Sequence, residues 1–573
     1  MRTHATTLVK QIEKSVIGSG QPFQTCFGQK PLIYADYTAS GRSLTMIEAT
    51  IRRHVLPWYA NTHTETSFTG AQSTKLREEA RQIIRQAVNA SEDDKIIFCG
   101  SGATTGINKM IDILGIRLPK KLDREYQISA QIPKQQRPVV FIGPYEHHSN
   151  ELPWRESIAQ VVTIPLNEQG QIDLDVLQKQ LKRFANRPLK IGSFSAASNV
   201  TGTLTDVSAI TTLLKQQGAL AFWDYAAAGP YVKIDMNADA PLDAVFISPH
   251  KFVGGPGTPG ILIAKQHILN NDIPAIVGGG TVMYVTPDDH CFIADHERRE
   301  EGGTPAIVES VRAGLVFKLQ QDVTTDYIQQ REHDLVQRAI AFFDTIPEIE
   351  VLGNRKAPRL PIFSLRFKHQ GQDLHYGFVT ALLNDLFGIQ VRGGCSCAGP
   401  YGHHLLAMDR DYSHKIEAEI QKGVMVLRPG WVRFNFNYFI NEAEFHYILH
   451  AIARVAQLGW RLLPFYQLDA DTAVWRFQGT AMPMATSLFD VSFSVDSNRA
   501  IEDLAATAND QPDFDTLLVQ GEQILTDDHA NWRTFSLNLS PTANALRWFV
   551  LPQHCIAPKP PQKDANNDMS EVA

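Results

Sequence analysis

The segment FISPHKFVGGPGTPGIL, at 246 to 262, sets Lys251 between an apolar run and a glycine-rich turn. An amine bonds covalently to an aldehyde only when it is held in place and partly desolvated, so that enough of it is neutral near pH 7. A strand reading of Ala244 to Ile247 buries the approach, and Ser248 and His250 offer hydrogen-bond donors beside the amine, as a phosphate-bearing aldehyde cofactor would require. Upstream, LAFWDYAAAG at 220 to 229 reads as a buried strand ending in Asp224. A carboxylate there could pair with a protonated ring nitrogen and keep it charged; the alternative for Asp224 is a helix N-cap. VRGGCSCAGP, at 391 to 400, adds two thiols, Cys395 and Cys397, in a glycine-rich loop. A free thiol is only a few per cent thiolate at pH 7, about 1.5 units below its pKa, yet the thiolate is strongly nucleophilic. A rival reading makes both thiols metal ligands with His403 and His404, although no second cysteine pair supports it.

Elements that could position these groups are visible in the apolar pattern. Strand-like runs alternate with helical patterns from about 94 to 265, including KIIFCG, RPVVFIG, LKIGSFS, LAFWDY and AVFIS. That alternation predicts an α/β fold with a mostly parallel sheet and flanking helices, whose strand carboxyl ends build sites. GSGATTGINKMIDIL from Gly100 places backbone N–H groups and hydroxyls at a helix start, as an anion site needs. The polar stretch at 120 to 138 reads as a surface insertion. A helix-rich stretch from about 305 to 345 leads into IEVLG, RLPIFSLRF, GIQVRGG and VRFNFNYF, which predict a smaller α/β domain.

The bulk properties set the class. A chain of 573 residues with 43% hydrophobic content can bury more than one core. Net charge is −7, which gives no basic footprint for nucleic acid, and no apolar run approaches a membrane span. The N-terminus lacks the apolar core of a secretory signal. Six cysteines in so long a chain fit a reducing cytoplasm better than a disulfide framework.

Taken in order, ADYTASG at 35 to 41, FCGSGATTGIN at 98 to 108, YEHHSNELPW at 145 to 154, SNVTG at 198 to 202, the Asp224 strand, the Ser248 to Lys251 motif, EGGTP at 301 to 305 and VRGGCSCAGP resemble the class V aminotransferase fold. Within it the chain is similar to cysteine desulfurases and selenocysteine lyases, and to the desulfurase domain of molybdenum-cofactor sulfurases. The resemblance runs from about residue 30 to 455. It implies the type I fold of pyridoxal-phosphate (PLP)-dependent transferases, with a smaller α/β domain and a C-terminal extension. By it, Lys251 is the Schiff-base lysine, Asp224 holds the ring nitrogen and His147 stacks on the ring. Thr104 and Ala103, with Ser248 and His250, form the phosphate cup. Thr304 reaches the phosphate of a partner subunit beside a loop carrying Gly279 and Gly280, which implies a homodimer. Asn199 lies beside the ring and meets the substrate carboxylate, which Arg433 binds. Cys397 is the aligned nucleophile that would take sulfur from L-cysteine as a persulfide, for release to an acceptor that can be a protein. His148 is read as structural.

Some residues depart from the family pattern. Many desulfurases carry a glutamine three residues after the ring-nitrogen aspartate, where this chain has Ala227, and Tyr225, a water or another side chain would have to compensate. Ser396-Cys397-Ala398 replaces the common His-Cys-Ala, and NTHTETSFTG at 61 to 70 adds hydroxyls and Glu65 near the substrate mouth. Other class V chemistry, such as transamination, lyase or epimerase action on another amino acid, stays open beside desulfuration, as does a non-catalytic scaffold that retains the fold.

The expected division is 1–310 for the N-terminal segment and large cofactor-binding domain, 311–465 for the small domain, 466–557 for an acidic C-terminal module, and a disordered tail at 558–573. Positions 467 to 530 hold 12 Asp or Glu against Arg476 and Arg499. Such an excess reads as a solvated face or as a dock for a basic partner. SLFDVSFSV, WRTFSLNLS and NALRWFVLP read as strands there.

Overall fold

A computed structural model describes residues 2–62, 64–491, 512–527 and 534–555. Seven apolar runs form one sheet: β1 (Asp94–Cys99), β2 (Val139–Ile142), β3 (Gln160–Thr163), β4 (Lys190–Ser195), β5 (Leu220–Asp224), β6 (Ala244–Ile247) and β7 (Gly260–Lys265). Their spatial order is β1-β7-β6-β5-β4-β2-β3. Pairings among β2 to β6 are parallel, and β7 runs against both neighbours. Every residue of β2 and β6 is buried. Helices on both faces leave such strands no polar side, so they read as continuous apolar runs. Two crossover helices, Leu174–Arg183 and Val207–Gln216, start at Asp173 and Asp206, whose carboxylates accept the N–H groups of Val176 and Ala209. The 120 to 138 stretch forms short, largely exposed helices, Lys120–Tyr126 and Ile128–Gln131.

β1 lies at the sheet edge and is closed by side chains instead of a strand. Glu297 and Glu301 accept the N–H groups of Ile96 and Phe98, while Arg81 and Arg85 donate to the carbonyls of Ile96 and Asp94. Arg77 and Arg81, on the helix Phe68–Ala87, also pair with Glu301. An open edge is thereby blunted, and the start of EGGTP is fixed to the sheet.

The second sheet is antiparallel and holds β8 (Ile349–Val351), β9 (Ile362–His369), β10 (Arg392–Gly394) and β11 (Trp431–Asn435) in the order β8-β9-β11-β10, with Gln372–Asp373 beside β9. GIQVRGG does not form one strand: Ile389–Gln390 pairs with Ile33–Tyr34, and only Arg392–Gly394 joins the second sheet. The early chain intervenes, since Ala35 N–H donates to the Gln390 carbonyl and the Ala35 carbonyl accepts from Asn435 N–H. This seats the start of ADYTASG between Gln390, just before β10, and Asn435, at the end of β11, near the site.

Beyond residue 465 the described chain packs into the core of the second sheet. Phe514, on the helix Phe514–Thr526, stacks on Tyr447 at 4.6 Å, Tyr466 donates to Asp385 at 2.8 Å, and Trp475 donates to His375 Nδ1 at 3.0 Å. The expected strands are absent among the described residues of these runs. Leu488–Asp490 is a single helical turn, with 492–495 outside the described residues; 534–540 carries no strand; Pro541–Ala545 is a short helix, followed by one bridge from Phe549 to Asp373. The alternating Phe535, Leu537 and Leu539 pack against an existing core, so their spacing serves docking without a ladder. The tail from 558 lies outside the described residues. Among the described residues, no helix is long and apolar enough to cross a membrane.

Candidate active site

The carboxyl ends of β1, β4, β5 and β6 converge on a cavity of about 210 Å³. Lys251 ends the turn Pro249–Lys251 after β6 and faces Asp224, the last residue of β5, across this space. Among the described residues, no hydrogen bond ties down its amine. Burial pulls the Lys251 amine down to about 8; Asp224 opposes that, and Arg433 and Arg392 add to it. Burial pushes the Asp224 carboxyl up, against the Ala226 N–H, which donates to it at 2.7 Å, and the Lys251 charge. No helix follows Asp224, which removes the N-cap reading.

His147 caps the helix His148–Arg155, its Nδ1 accepting Ser149 N–H at 3.1 Å. Burial, and then Lys251, lower His147 to about 3, so the ring is neutral, and acceptance at Nδ1 places its proton on Nε2. Ser149 also lies 2.6 Å from Thr104 Oγ1, linking His147 to the first turn of the helix Gly102–Ile113. There Ala103 N–H donates to Ser248 Oγ at 2.9 Å. Gly102 has φ +61°, and a Cβ would lie 2.7 Å from Ser248 Oγ and 2.8 Å from His250, so only glycine lets the helix start approach that wall. Backbone N–H groups, Thr104, Ser248 and His250 thus surround one end of the cavity, an arrangement suited to a phosphate.

At the other end Arg433, on β11, is 2% exposed and donates to Asp36 at 2.7 Å and to the Asn199 carbonyl at 3.2 Å. Arg392 meets the other oxygen of Asp36 at 3.3 Å. Sequence reasoning missed Asp36 and Arg392. Their signal was a charge inside each of two quoted motifs, but the meeting depends on chain distant in sequence. Asn199 Nδ2 donates to the Ser396 carbonyl at 2.8 Å; Asn199 Oδ1, Arg433 Nε and Ser396 Oγ are buried without partners. Buried polar atoms left open cost free energy, so atoms on this wall are matched to a polar ligand.

Two expected site residues lie outside the cavity lining. Thr304 is exposed, near the loop whose Gly279 carbonyl accepts from Gly303 N–H at 2.7 Å. Cys397 is exposed in a turn, while its neighbour Ser396 lines the cavity. His148 clasps this turn: its N–H donates to the Cys397 carbonyl at 2.9 Å, and its Nε2 accepts Gly399 N–H at 3.0 Å. Ala227 lines the cavity, but Tyr225 does not replace the missing glutamine; it is buried in the core. Successive residues leaving β5 point to opposite sides, so Asp224 and Tyr225 cannot both enter. Glu65 is exposed and outside the lining. Among the described residues, no group of three or more His, Cys, Asp or Glu is placed to hold a metal, which removes the Cys395, Cys397, His403 and His404 reading.

A strand-edge lysine facing a carboxylate, a neutral histidine and an anion cup on a mostly parallel sheet define the pyridoxal-phosphate class of fold. The sequence profile of class V aminotransferases matches residues 33–410, and the chain belongs to that family of PLP-dependent enzymes. It is 29% identical over 375 residues to a probable cysteine desulfurase of Halalkalibacterium halodurans, covering 65% of this chain and 85% of that protein. Another probable cysteine desulfurase, from Streptomyces coelicolor, is 26% identical over 398 residues, with 68% and 90% coverage. The apo cysteine desulfurase of Thermococcus onnurineus NA1 matches in fold with TM-score 0.61 and 22% identity, over 74% of this chain and 95% of that one. The S-sulfonic acid form of CsdA from Escherichia coli gives TM-score 0.58 and 22% identity, over 74% and 94%.

Proposed function

We propose that this protein is a cysteine desulfurase that takes sulfur from L-cysteine, leaving alanine and a persulfide on Cys397. The observation that carries the reading is the Lys251 amine, held near 8 by burial and facing Asp224. Pyridoxal 5'-phosphate bound here would supply an electron sink for the carbanion left when the substrate loses its α-proton. Lys251, with an amine near neutrality, would anchor the aldehyde and carry that proton. Asp224 keeps the ring nitrogen protonated, and His147 presents a flat neutral face to the ring. Ala103 and Thr104, with Ser248 and His250, hold the phosphate; Thr304 serves the partner subunit's site. Arg433 takes the substrate carboxylate, oriented by Asp36 and assisted by Asn199 and Arg392.

Exposed Ile276, Val277, Met283, Tyr284 and Val285 around the Gly279 loop support a homodimer. The reading includes the division at 310, 465 and 557, a cytoplasmic location, and release of sulfur to an acceptor that can be a protein. Incubating the PLP-loaded enzyme with L-cysteine and a thiol reductant should give alanine and sulfide in equal amounts. Pyruvate, or amino-group transfer to a 2-oxo acid, without alanine would assign a different class V reaction; purified protein that takes up no PLP would favour a scaffold.

A further inference from the structure

The loop that carries Cys397 holds a second thiol, Cys395, in the same tight turn. Ala398 N–H donates to the Cys395 carbonyl at 3.3 Å, closing a four-residue turn over 395–398. Its central residues, Ser396 and Cys397, have φ +55° and +56°, the left-handed pair of a type I′ turn, in which neither is glycine. Each peptide of the turn has an outside partner or closes on itself: the Ser396 carbonyl takes Asn199, the Cys397 carbonyl takes His148 N–H, and Gly399 N–H reaches the His148 ring. Residues two apart lie at most about 7 Å apart in Cα even when extended, and a turn shortens that, which is disulfide range. Cys395 is partly buried against the large-sheet core, whereas Cys397 is exposed and outside the cavity lining. The turn as it stands therefore holds the two cysteine backbones within reach of a disulfide, and does not bring Cys397 to the cavity.

We infer that Cys395 is a resolving thiol for the Cys397 persulfide, an inference that rests on the desulfurase reading. The Cys395 thiolate, its proton lost to solvent, attacks the inner sulfur of the persulfide. A Cys395–Cys397 bond forms, the bond from Cys397 to the outer sulfur breaks, and the electron pair leaves on hydrosulfide. Its oxidising equivalent is the sulfane sulfur already taken from the substrate, so the step needs no outside oxidant. Hydrosulfide is a weaker base than an alkyl thiolate, which favours its departure. An external thiol reductant then reopens the disulfide for the next turnover. This deepens the proposed function: where no protein acceptor takes the sulfur, the product is free sulfide, and the enzyme's second substrate is a reducing thiol.

The test is a single turnover of PLP-loaded protein with L-cysteine and no reductant, followed by alkylation and mass analysis of the 395–397 peptide. Unmodified protein should release alanine and sulfide in equal, stoichiometric amounts and end two hydrogens lighter, with neither thiol alkylated until a reductant is added. Cys395→Ser, with Cys395→Ala as a check on folding, should release alanine but no sulfide and keep an extra sulfur on Cys397. If the unmodified chain instead keeps the extra sulfur on Cys397, or carries it on Cys395 with no disulfide, the resolving role is overturned while the desulfurase reading stands. Absence of alanine from the unmodified chain overturns both. The assignment of the unmodified product needs no variant.

Discussion

The cavity and the thiol loop are built in opposite ways. Lys251 lies four residues beyond β6, Asp224 ends β5 and Ala103 lies four beyond β1, so buried strands fix their positions. The 395–399 loop is held by one hydrogen bond from Asn199 and two shared with His148, and runs through two left-handed residues that are not glycine. Strand-end placement suits groups that must hold one geometry, whereas a clasped turn can be released and reset. In this account the cavity prepares the substrate's sulfur, and the loop collects and discharges it.

The sharpest way to break this division is Lys251→Ala, which should lower alanine formation by more than about a thousandfold, because nothing else in the cavity supplies a buried amine. Retained turnover would remove the cavity from the chemistry. Arg433→Lys keeps the charge but loses the planar fork; KM for L-cysteine should rise by about 10- to 100-fold, with kcat changed less. A fall confined to kcat would place Arg433 away from the carboxylate. His148→Ala removes one of the two bonds that clasp the loop and should slow sulfur transfer by about 2- to 10-fold, leaving PLP affinity unchanged in an absorbance titration. Equal loss of PLP affinity would show that loop and cavity are one unit.

A separate effect, outside turnover, concerns pH and stability in cofactor-free protein. The folded chain holds Lys251 near 8 and the unfolded chain near 10.5, so unfolding takes up a proton between those values. The burial penalty is complete below pH 8 and fades as pH rises through 10.5. Lys251→Met should therefore stabilise the apo protein at pH 7 by about 3 kcal/mol, seen as a higher Tm, with the gain shrinking above pH 8. A gain independent of pH would point to packing alone.

Those groups that follow a buried strand were readable in the sequence, because an apolar run ending in Asp224, or leading through Ser248 to Lys251, carries both its element and its chemistry. Asp36 and Arg392 were not, since their meeting with Arg433 depends on Ala35 lying between Gln390 and Asn435. The two bonds from His148 to the turn join residues about 250 apart, a distance no local pattern reports. Past residue 465, alternation misled: Phe535, Leu537 and Leu539 face a core already built by other segments.

The most direct test of the division is the PLP absorbance of loaded Cys397→Ala when L-cysteine is added, read together with alanine. The spectrum should change as it does in the unmodified protein while no alanine forms. Alanine at the unmodified rate would contradict the division, because the cavity would then be completing the reaction without the loop.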